Sequence, residues 1–407
     1  MTDLIEPDEL LFNPFAPGFF ENPYTQYKLL RDEDPVQNHP LGFWFVSRYE
    51  DVSALLRAGL SVDVGNLAPG PFSQQMEYFG TEDAPGALNR SMLDRDPPDH
   101  TRLRSLVTKV FTRRAVAALE PQIVRLVDEA LDRMAGKGRS DLVEELAFPL
   151  PFAVISAMLG MPPTDHARIR ELSGTLVRSL EIVADEDTAR AIVAADAELT
   201  AITREVIVWK RDHPADDLLT ALIAAEHDGQ VLDGDELVAQ VVLLYVAGHE
   251  TTVNLIANGV HALLRHPDQL ALLRAQPDLA ANAIEEFLRY DSPVQQTRRV
   301  TTAPHTVAGK EIPAGSFVLA CLGSANRDER FFGPDAGELR LERPEARHQV
   351  SFGAGPHHCL GAALARLEGQ VAIGRLVQRF PELDFDGEPA WNGRINLRGP
   401  AKFPVRV

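Results

Sequence analysis

Phe352-Gly353-Ala354-Gly355-Pro356-His357-His358-Cys359-Leu360-Gly361 is a glycine-rich turn that runs into a helical pattern from Leu360 to Gln378. Its glycines let the backbone fold closely and leave room for a flat ligand. A thiolate at the start of a helix gains from the positive end of the macrodipole and from free N–H donors, which lower its pKa and tune a bound metal. Cys359 is therefore read as an anion. Two other readings compete on residue type alone: an inert buried cysteine, and a reactive thiol with His357 or His358 as its base. Cys321 is the only other cysteine. Two are too few for a disulfide framework or a zinc cluster, and a bridge between them is disfavoured in a cytosolic chain.

Upstream of this turn lie short β-prone pieces, Thr297 to Thr302 and Ser316 to Ala320, broken by Pro313-Ala314-Gly315. Before Ser292 the texture is helical. Arg102 to Val110, Ala115 to Met134, Asp141 to Leu159, His166 to Ile182 and Asp187 to Asp212 all carry apolar residues at three- and four-residue spacing. Asp235 to Arg265 is longer still, on the order of 45 Å as a helix. Its stretch Val241 to Ala247 is apolar on every side, which places it in the middle of the molecule. Near the start, Phe43 to Ser47 predicts a strand, and residues 1–24, rich in Pro, Phe and Asn from Asn13, predict an extended arm. Gly65 to Gly86 predicts a long loop and a candidate lid. The fold class expected is mainly α with a small β region. With no linker, low-complexity tract or repeat, residues 1–407 are expected to form one domain.

Composition narrows the function. Of 407 residues 45% are hydrophobic and 24% charged, an ordinary globular balance. Lys plus Arg number 40 against 59 Asp plus Glu, and the net charge of -19 argues against nucleic acid as a partner. No apolar run reaches the roughly 18 residues of a membrane span, so no membrane partner is expected. Met1 to Asp8 lacks the features of a secretory signal, which makes a cytoplasmic location the expectation.

Three further patterns stand out. Ala247-Gly248-His249-Glu250-Thr251-Thr252 sets a glycine, an acid and hydroxyls in the apolar helix. Glycine costs about 1 kcal/mol there relative to alanine, and a buried carboxylate costs several more unless paired. A helix end at Gly248 is the alternative, but the apolar pattern resumes at Val253, Leu255 and Ile256. Glu286 and Arg289 stand three apart on one helix face, where they can pair, a weak signal by itself. Asp96-Pro97-Pro98-Asp99 has the marks of a helix start with an acidic cap, and His100 and Arg104 then share a face.

Together these residues resemble the cytochrome P450 superfamily, in its soluble bacterial, actinobacterial-like form. The family signature Phe-Gly-x-Gly-x-x-x-Cys-x-Gly is filled at every fixed position from Phe352 to Gly361, and the likeness extends from about Asn13 to the C terminus, including Asn326-Arg327-Asp328. The resemblance implies the family's triangular, helix-rich domain enclosing haem b, iron protoporphyrin IX, with Cys359 as the axial ligand of the iron. It implies that Phe352, Gly353, Gly361 and His357 line the haem, and that His100, Arg104 and Arg299 hold its propionates. Arg298 is the competitor in register for Arg299. Glu286 with Arg289 is implied to be a buried structural pair. Glu250 and Thr251 match the family's acid-alcohol pair, with Gly248 leaving room for O2, Thr251 hydrogen-bonding it and Glu250 relaying protons; His249 is implied to be non-catalytic.

By the same resemblance the reaction is a monooxygenation, hydroxylation or epoxidation of an apolar small molecule such as a polyketide or macrolide, terpenoid, steroid or fatty acid. Electrons would come ultimately from NAD(P)H through a ferredoxin and its reductase, because no flavin domain is fused. A basic patch of Lys109, Arg113, Arg114 and Arg366 is the expected docking face, and a monomer the expected state. Substrate contacts are expected from the Gly65 to Gly86 loop, Leu243, Val246, Ala247, Val294 and Gln295. A peroxide-driven peroxygenase is disfavoured by the intact Glu250-Thr251 pair. A haem sensor without turnover and a thiol hydrolase are the other readings, the last leaving Arg104 and Arg299 without a role.

Overall fold

The computed structural model describes residues 10–70, 73, 86–88, 90–162, 166–181, 185–227 and 230–407. Helix α1 (Tyr24–Glu33), strands β1 (Val36–Asn38) and β2 (Phe43–Val46) and α2 (Tyr49–Arg57) open the chain. The helical body follows with α3 (Asp99–Val110), α4 (Arg113–Ala118), α5 (Glu120–Lys137), the strand β3 (Arg139–Asp141), α6 (Pro149–Leu159), α7 (His166–Leu176), α8 (Glu186–Asp212) and α9 (Leu218–Ala224). After the hairpin β4 (Glu226–His227) and β5 (Gln230–Val231) come the 32-residue α10 (Gly234–Arg265), α11 (Pro267–Ala275) and α12 (Ala280–Tyr290). The β region holds β6 (Gln296–Val300), β7 (His305–Val307), β8 (Lys310–Ile312) and β9 (Phe317–Cys321), followed by the short helices α13 (Leu322–Ala325) and α14 (Glu329–Phe332). Helix α15 (Ala362–Arg379) and strands β10 (Asp384–Phe385), β11 (Ala390–Trp391), β12 (Pro400–Lys402) and β13 (Pro404–Arg406) complete the fold. It is mainly α with small sheets. The largest has the order β1-β2-β9-β6, with β2 and β9 parallel and the other pairs antiparallel.

Helix α10 is the axis of the molecule. Asp233 and Glu236 form a reciprocal capping box at its start, satisfying two N–H groups that the helix leaves free. Residues 237–242, 244–246 and 252–260 are buried on all sides against α6, α8, α12 and α15. Five sequence expectations needed correction. The helix expected over 141–159 is a strand, a π-turn at Val143–Ala147 and α6, because Pro149 and Pro151 lack the N–H that a continuous helix needs. The one expected over 115–134 divides between α4 and α5 at Leu119, where Pro121 opens the second helix. Asp96 does not cap α3: its carboxylate binds the Ser61 hydroxyl and the Val62 N–H, and Pro98 holds the cap position. Residues 10–23, the described part of the expected arm, are a series of turns rather than extended. Phe12 and Phe19 are buried, Phe12 stacking on Phe45 with ring centroids 4.4 Å apart. The helix expected over His166 to Ile182 ends as α7 and a 3-10 turn at Val177–Leu180, and Ile182 lies outside the described residues.

A buried ion cluster joins α12 to the segment that leads to the cysteine turn. Glu286 and Arg289 are fully buried and pair through two hydrogen bonds of 2.7 and 2.8 Å. Arg289 also donates to the carbonyls of Asn326, Ala336 and Glu338, while Glu286 accepts from the Arg340 N–H and from Arg343. The geometry is what a buried pair needs, since desolvation exceeds Coulomb gain unless every remaining donor and acceptor is satisfied. Glu286→Gln removes the anion that faces two arginines and is expected to lower the unfolding free energy by about 3–5 kcal/mol in urea titrations. A loss below about 1 kcal/mol would mean that the carbonyls alone carry Arg289.

Candidate active site

The cysteine turn hangs from Asn326. Its side-chain oxygen accepts the Val350 N–H at 2.8 Å, and its amide donates to the hydroxyls of Ser292 and Ser351. Gly355, at φ +69°, lies so close to α2 that a Cβ there would sit 2.5 Å from the Leu56 carbonyl oxygen, so no other residue fits. The turn closes with the Cys359 N–H donating to the Phe352 carbonyl at 2.8 Å. The Cys359 side chain is accessible, and its sulfur receives the Gly361 N–H. Helix α15 starts only at Ala362, so the sulfur faces one loop N–H rather than the first turn of the helix. In the protein alone burial pushes the thiol up, against the smaller opposing pull of the Gly361 N–H, Arg104 and Arg366. A coordinated metal deprotonates a thiol outright, so the sequence reading of Cys359 as an anion goes with its role as a metal ligand.

Beside the turn, α3 and β6 bring cations and donors together. His100 is buried, its ring centroid is 4.1 Å from that of His357, and neither of its ring nitrogens has a hydrogen-bond partner. Arg299 is buried and makes only neutral hydrogen bonds, to the Thr297 hydroxyl and the Arg298 carbonyl. Burial and the adjacent Arg298 pull its guanidinium down to about 10. Arg298 itself is paired with Asp94 at 2.7 Å. His357 is drawn down to about 3 by burial and then by His100 and Arg299, and Arg104 donates to the His358 carbonyl at 2.6 Å. Buried donors and a buried cation without an anion are costly. A group carrying two carboxylates on this side of the cysteine removes that cost, so the residues present fit haem.

Across the middle of α10, Leu243, Ala247 and Thr251 recur every four residues and are accessible or half-buried in a helix that is buried over most of its length. They form one stripe on one face. Val246 is buried. At Gly248 a Cβ would lie 3.2 Å from Ile155, so the glycine lets α6 approach; the helix continues through it. The Thr251 hydroxyl donates to the Ala247 carbonyl at 3.1 Å. Glu250 points elsewhere, into an ion pair with Arg394. His249 is buried among Phe148 and Phe152, with Nδ1 against the Tyr245 carbonyl at 2.8 Å.

One expected substrate contact, Gln295, is engaged within the fold. The Gln295 amide donates to the Ser292 carbonyl and the Tyr24 hydroxyl and packs on Gly323, so it braces the fold. Val294 is half-buried and bridges to Leu397. Most of the Gly65 to Gly86 loop lies outside the described residues. Sequence reasoning missed Arg394, which stands in a loop 144 residues from its partner and offers no local pattern. It also missed Glu368, a fully enclosed carboxyl of α15 next to Thr252, which burial pushes up to about 8. Its place between Leu364 and Ala372 at four-residue spacing on a buried face was the available signal.

Among the described residues no helix is long and apolar enough to cross a membrane. Comparison with known proteins agrees with this geometry. The family model described as Cytochrome P450 matches residues 64–385. The chain is 44% identical to Cytochrome P450 107B1 of Saccharopolyspora erythraea over 100% of its own length and 99% of that protein's. It is 41% identical to the Vitamin D(3) 25-hydroxylase of Pseudonocardia autotrophica, covering 97% and 96% of the two chains. Its fold superimposes with a TM-score of 0.88 at 34% identity on P450BioI solved with a hexadec-9Z-enoic acid ligated acyl carrier protein, covering 96% of this chain and 100% of that one. With a family match over most of its length and relatives aligned nearly end to end, this chain belongs to the cytochrome P450 family of haem-thiolate monooxygenases.

Proposed function

We propose that this monooxygenase inserts one atom of O2 into a bulky, apolar small molecule, by hydroxylation or epoxidation, with electrons passed from NAD(P)H by a ferredoxin and its reductase in the cytoplasm. The observation that carries this reading is the stripe Leu243, Ala247 and Thr251, a partly accessible apolar track ending in a hydroxyl on a helix that is buried over most of its length. In this reading Cys359 holds the iron of haem b, and His100, Arg104, Arg299 and His357 hold its propionates. When bound, haem supplies the activation of O2. Thr251 orients the oxygen by its hydroxyl, and Glu250 passes it protons through water. The apolar track keeps bulk water from the reacting carbon and holds the substrate by burial rather than by charge. A relative acting on vitamin D3 and a neighbour solved with a C16 acyl chain favour a steroid-like or long-chain substrate over a small polar one.

Electron supply needs a docking face near Cys359. A cleft of 360 Å³ beside the cysteine turn is lined by Arg57, Arg347, His348, His358 and Arg366 among others, a local positive patch on a chain of net charge -19. Arg366 belongs to it, though tied to Glu285. We assign docking of an acidic ferredoxin to this cleft, ahead of the patch expected from Lys109, Arg113 and Arg114.

The direct test is turnover under ¹⁸O2 with ferredoxin, reductase and NAD(P)H against a secosteroid, a macrolide and a palmitoleate ester. One labelled oxygen atom in a product of one of these is expected; substrate-independent consumption of NAD(P)H across the whole panel would contradict the reading. For the docking face, Arg57→Glu with Arg347→Glu is expected to slow ferredoxin-driven reduction about tenfold at low salt while dithionite reduction is unchanged. An unaltered rate would place the ferredoxin elsewhere.

A further inference from the structure

Glu250 is held by a neighbour that leads to one turn of another helix. Its carboxylate pairs with Nη1 of Arg394, and Nη2 of the same guanidinium donates to the Gly174 carbonyl at 3.2 Å. On its other side stands His249, with Nε2 3.9 Å from Oε2 of Glu250. The Tyr245 carbonyl can only accept, so Nδ1 of His249 carries the proton and Nε2 is an acceptor. That nitrogen lies 3.4 Å from the Ser173 hydroxyl. Ser173 and Gly174 are consecutive residues of α7. Nε2 and the carboxylate are both acceptors, and the Ser173 hydroxyl donates to the Ile169 carbonyl at 2.8 Å, so it is Arg394 that ties Glu250 to α7.

The loop that carries Arg394 is fastened to the same segment. Glu181 is half-buried, and its carboxylate accepts the N–H groups of Ile395 at 2.7 Å and Asn396 at 3.2 Å. The Asn396 amide donates to the Leu180 carbonyl at 3.1 Å. Residues 394–396 and 173–181 thus form one hydrogen-bonded unit, with Glu250 engaged at its inner end. Arginine suits this post, since one planar group can hold a carboxylate and a carbonyl at once.

We propose that Arg394 is a positioning residue that couples the placement of the Glu250 carboxylate to the seating of α7 on α10. A substrate that shifts α7 changes the Arg394 contact that holds Glu250, freeing the carboxylate to turn; a seated α7 holds it. This inference rests on Glu250 as the proton-relaying acid. Coupling is reciprocal, so releasing Glu250 must also loosen α7.

The experiment compares Arg394→Ala, Arg394→Lys, Glu250→Gln and the double variant Arg394→Ala with Glu250→Gln as haem-loaded proteins. Amide hydrogen exchange over residues 166–176 is measured, together with product formed per NAD(P)H consumed. Exchange is expected to rise about fivefold in Arg394→Ala and in Glu250→Gln, with no further rise in the double variant and a smaller rise in Arg394→Lys, which keeps the charge but not the planar fork. Product per NAD(P)H is expected to fall about fivefold in Arg394→Ala, with substrate affinity kept within about twofold. Exchange that rises in Arg394→Ala but stays at the wild-type rate in Glu250→Gln would overturn the proposal, leaving Arg394 as a prop for its loop. Wild-type turnover by Glu250→Gln would instead remove the underlying role of Glu250, whatever the exchange shows.

Discussion

The buried pair of Glu286 and Arg289 is the constraint on which the rest of the site depends. Two opposite charges at zero exposure are tolerable only where every donor is used. Arg289 uses its donors on the carbonyls of Asn326, Ala336 and Glu338, which fixes three points of the chain between the β region and the cysteine turn. Asn326 then passes that order on, holding Val350 and Ser351 by its side chain. Cys359 is thus presented by a loop whose far end is anchored in the core. A metal ligand on a loop gains precision from such second contacts, since its own backbone is not part of a helix or strand.

What the anchored loop faces is electrostatically unfinished as protein alone. An acidic chain has gathered His100, Arg299 and His357 in one neighbourhood, where among the described residues the His100 ring has no hydrogen-bond partner and Arg299 no ion pair. Asp96 approaches but is engaged by Ser61 and Val62. The stability given up there returns when a dianionic group binds, which links folding stability to cofactor occupancy by mass action. Cys359 follows the same logic, since a bound metal cation favours the thiolate over the thiol.

The sequence was readable wherever the physics is local. The 3.6-residue apolar pattern located α10 to within one residue at its start, and the glycines and cysteine of 352–361 specified the turn. Glu286 and Arg289 were visible as a spacing, though the spacing said nothing of Arg343, whose side chain arrives from 57 residues away. Prolines 121, 149 and 151 divided helices that periodicity had joined, because apolar spacing does not register a missing N–H. Gln295 was misplaced for a different reason. Its position after α12 is right for the site, but the direction of its side chain is set by Tyr24, far earlier in the chain. Arg394 and Glu181 were illegible for the same cause, being joined to α7 and α10 only by tertiary packing.

The account stands on thiolate ligation by Cys359, with the gathered cations and the accessible stripe of α10 as its surroundings. The most direct measurement is the carbon monoxide difference spectrum of the dithionite-reduced protein, recorded for wild type beside Cys359→Ser. A strongly red-shifted Soret band in wild type that is absent from Cys359→Ser is the predicted result. A wild-type protein that binds haem without that shift, or a shift that survives the substitution, would contradict it.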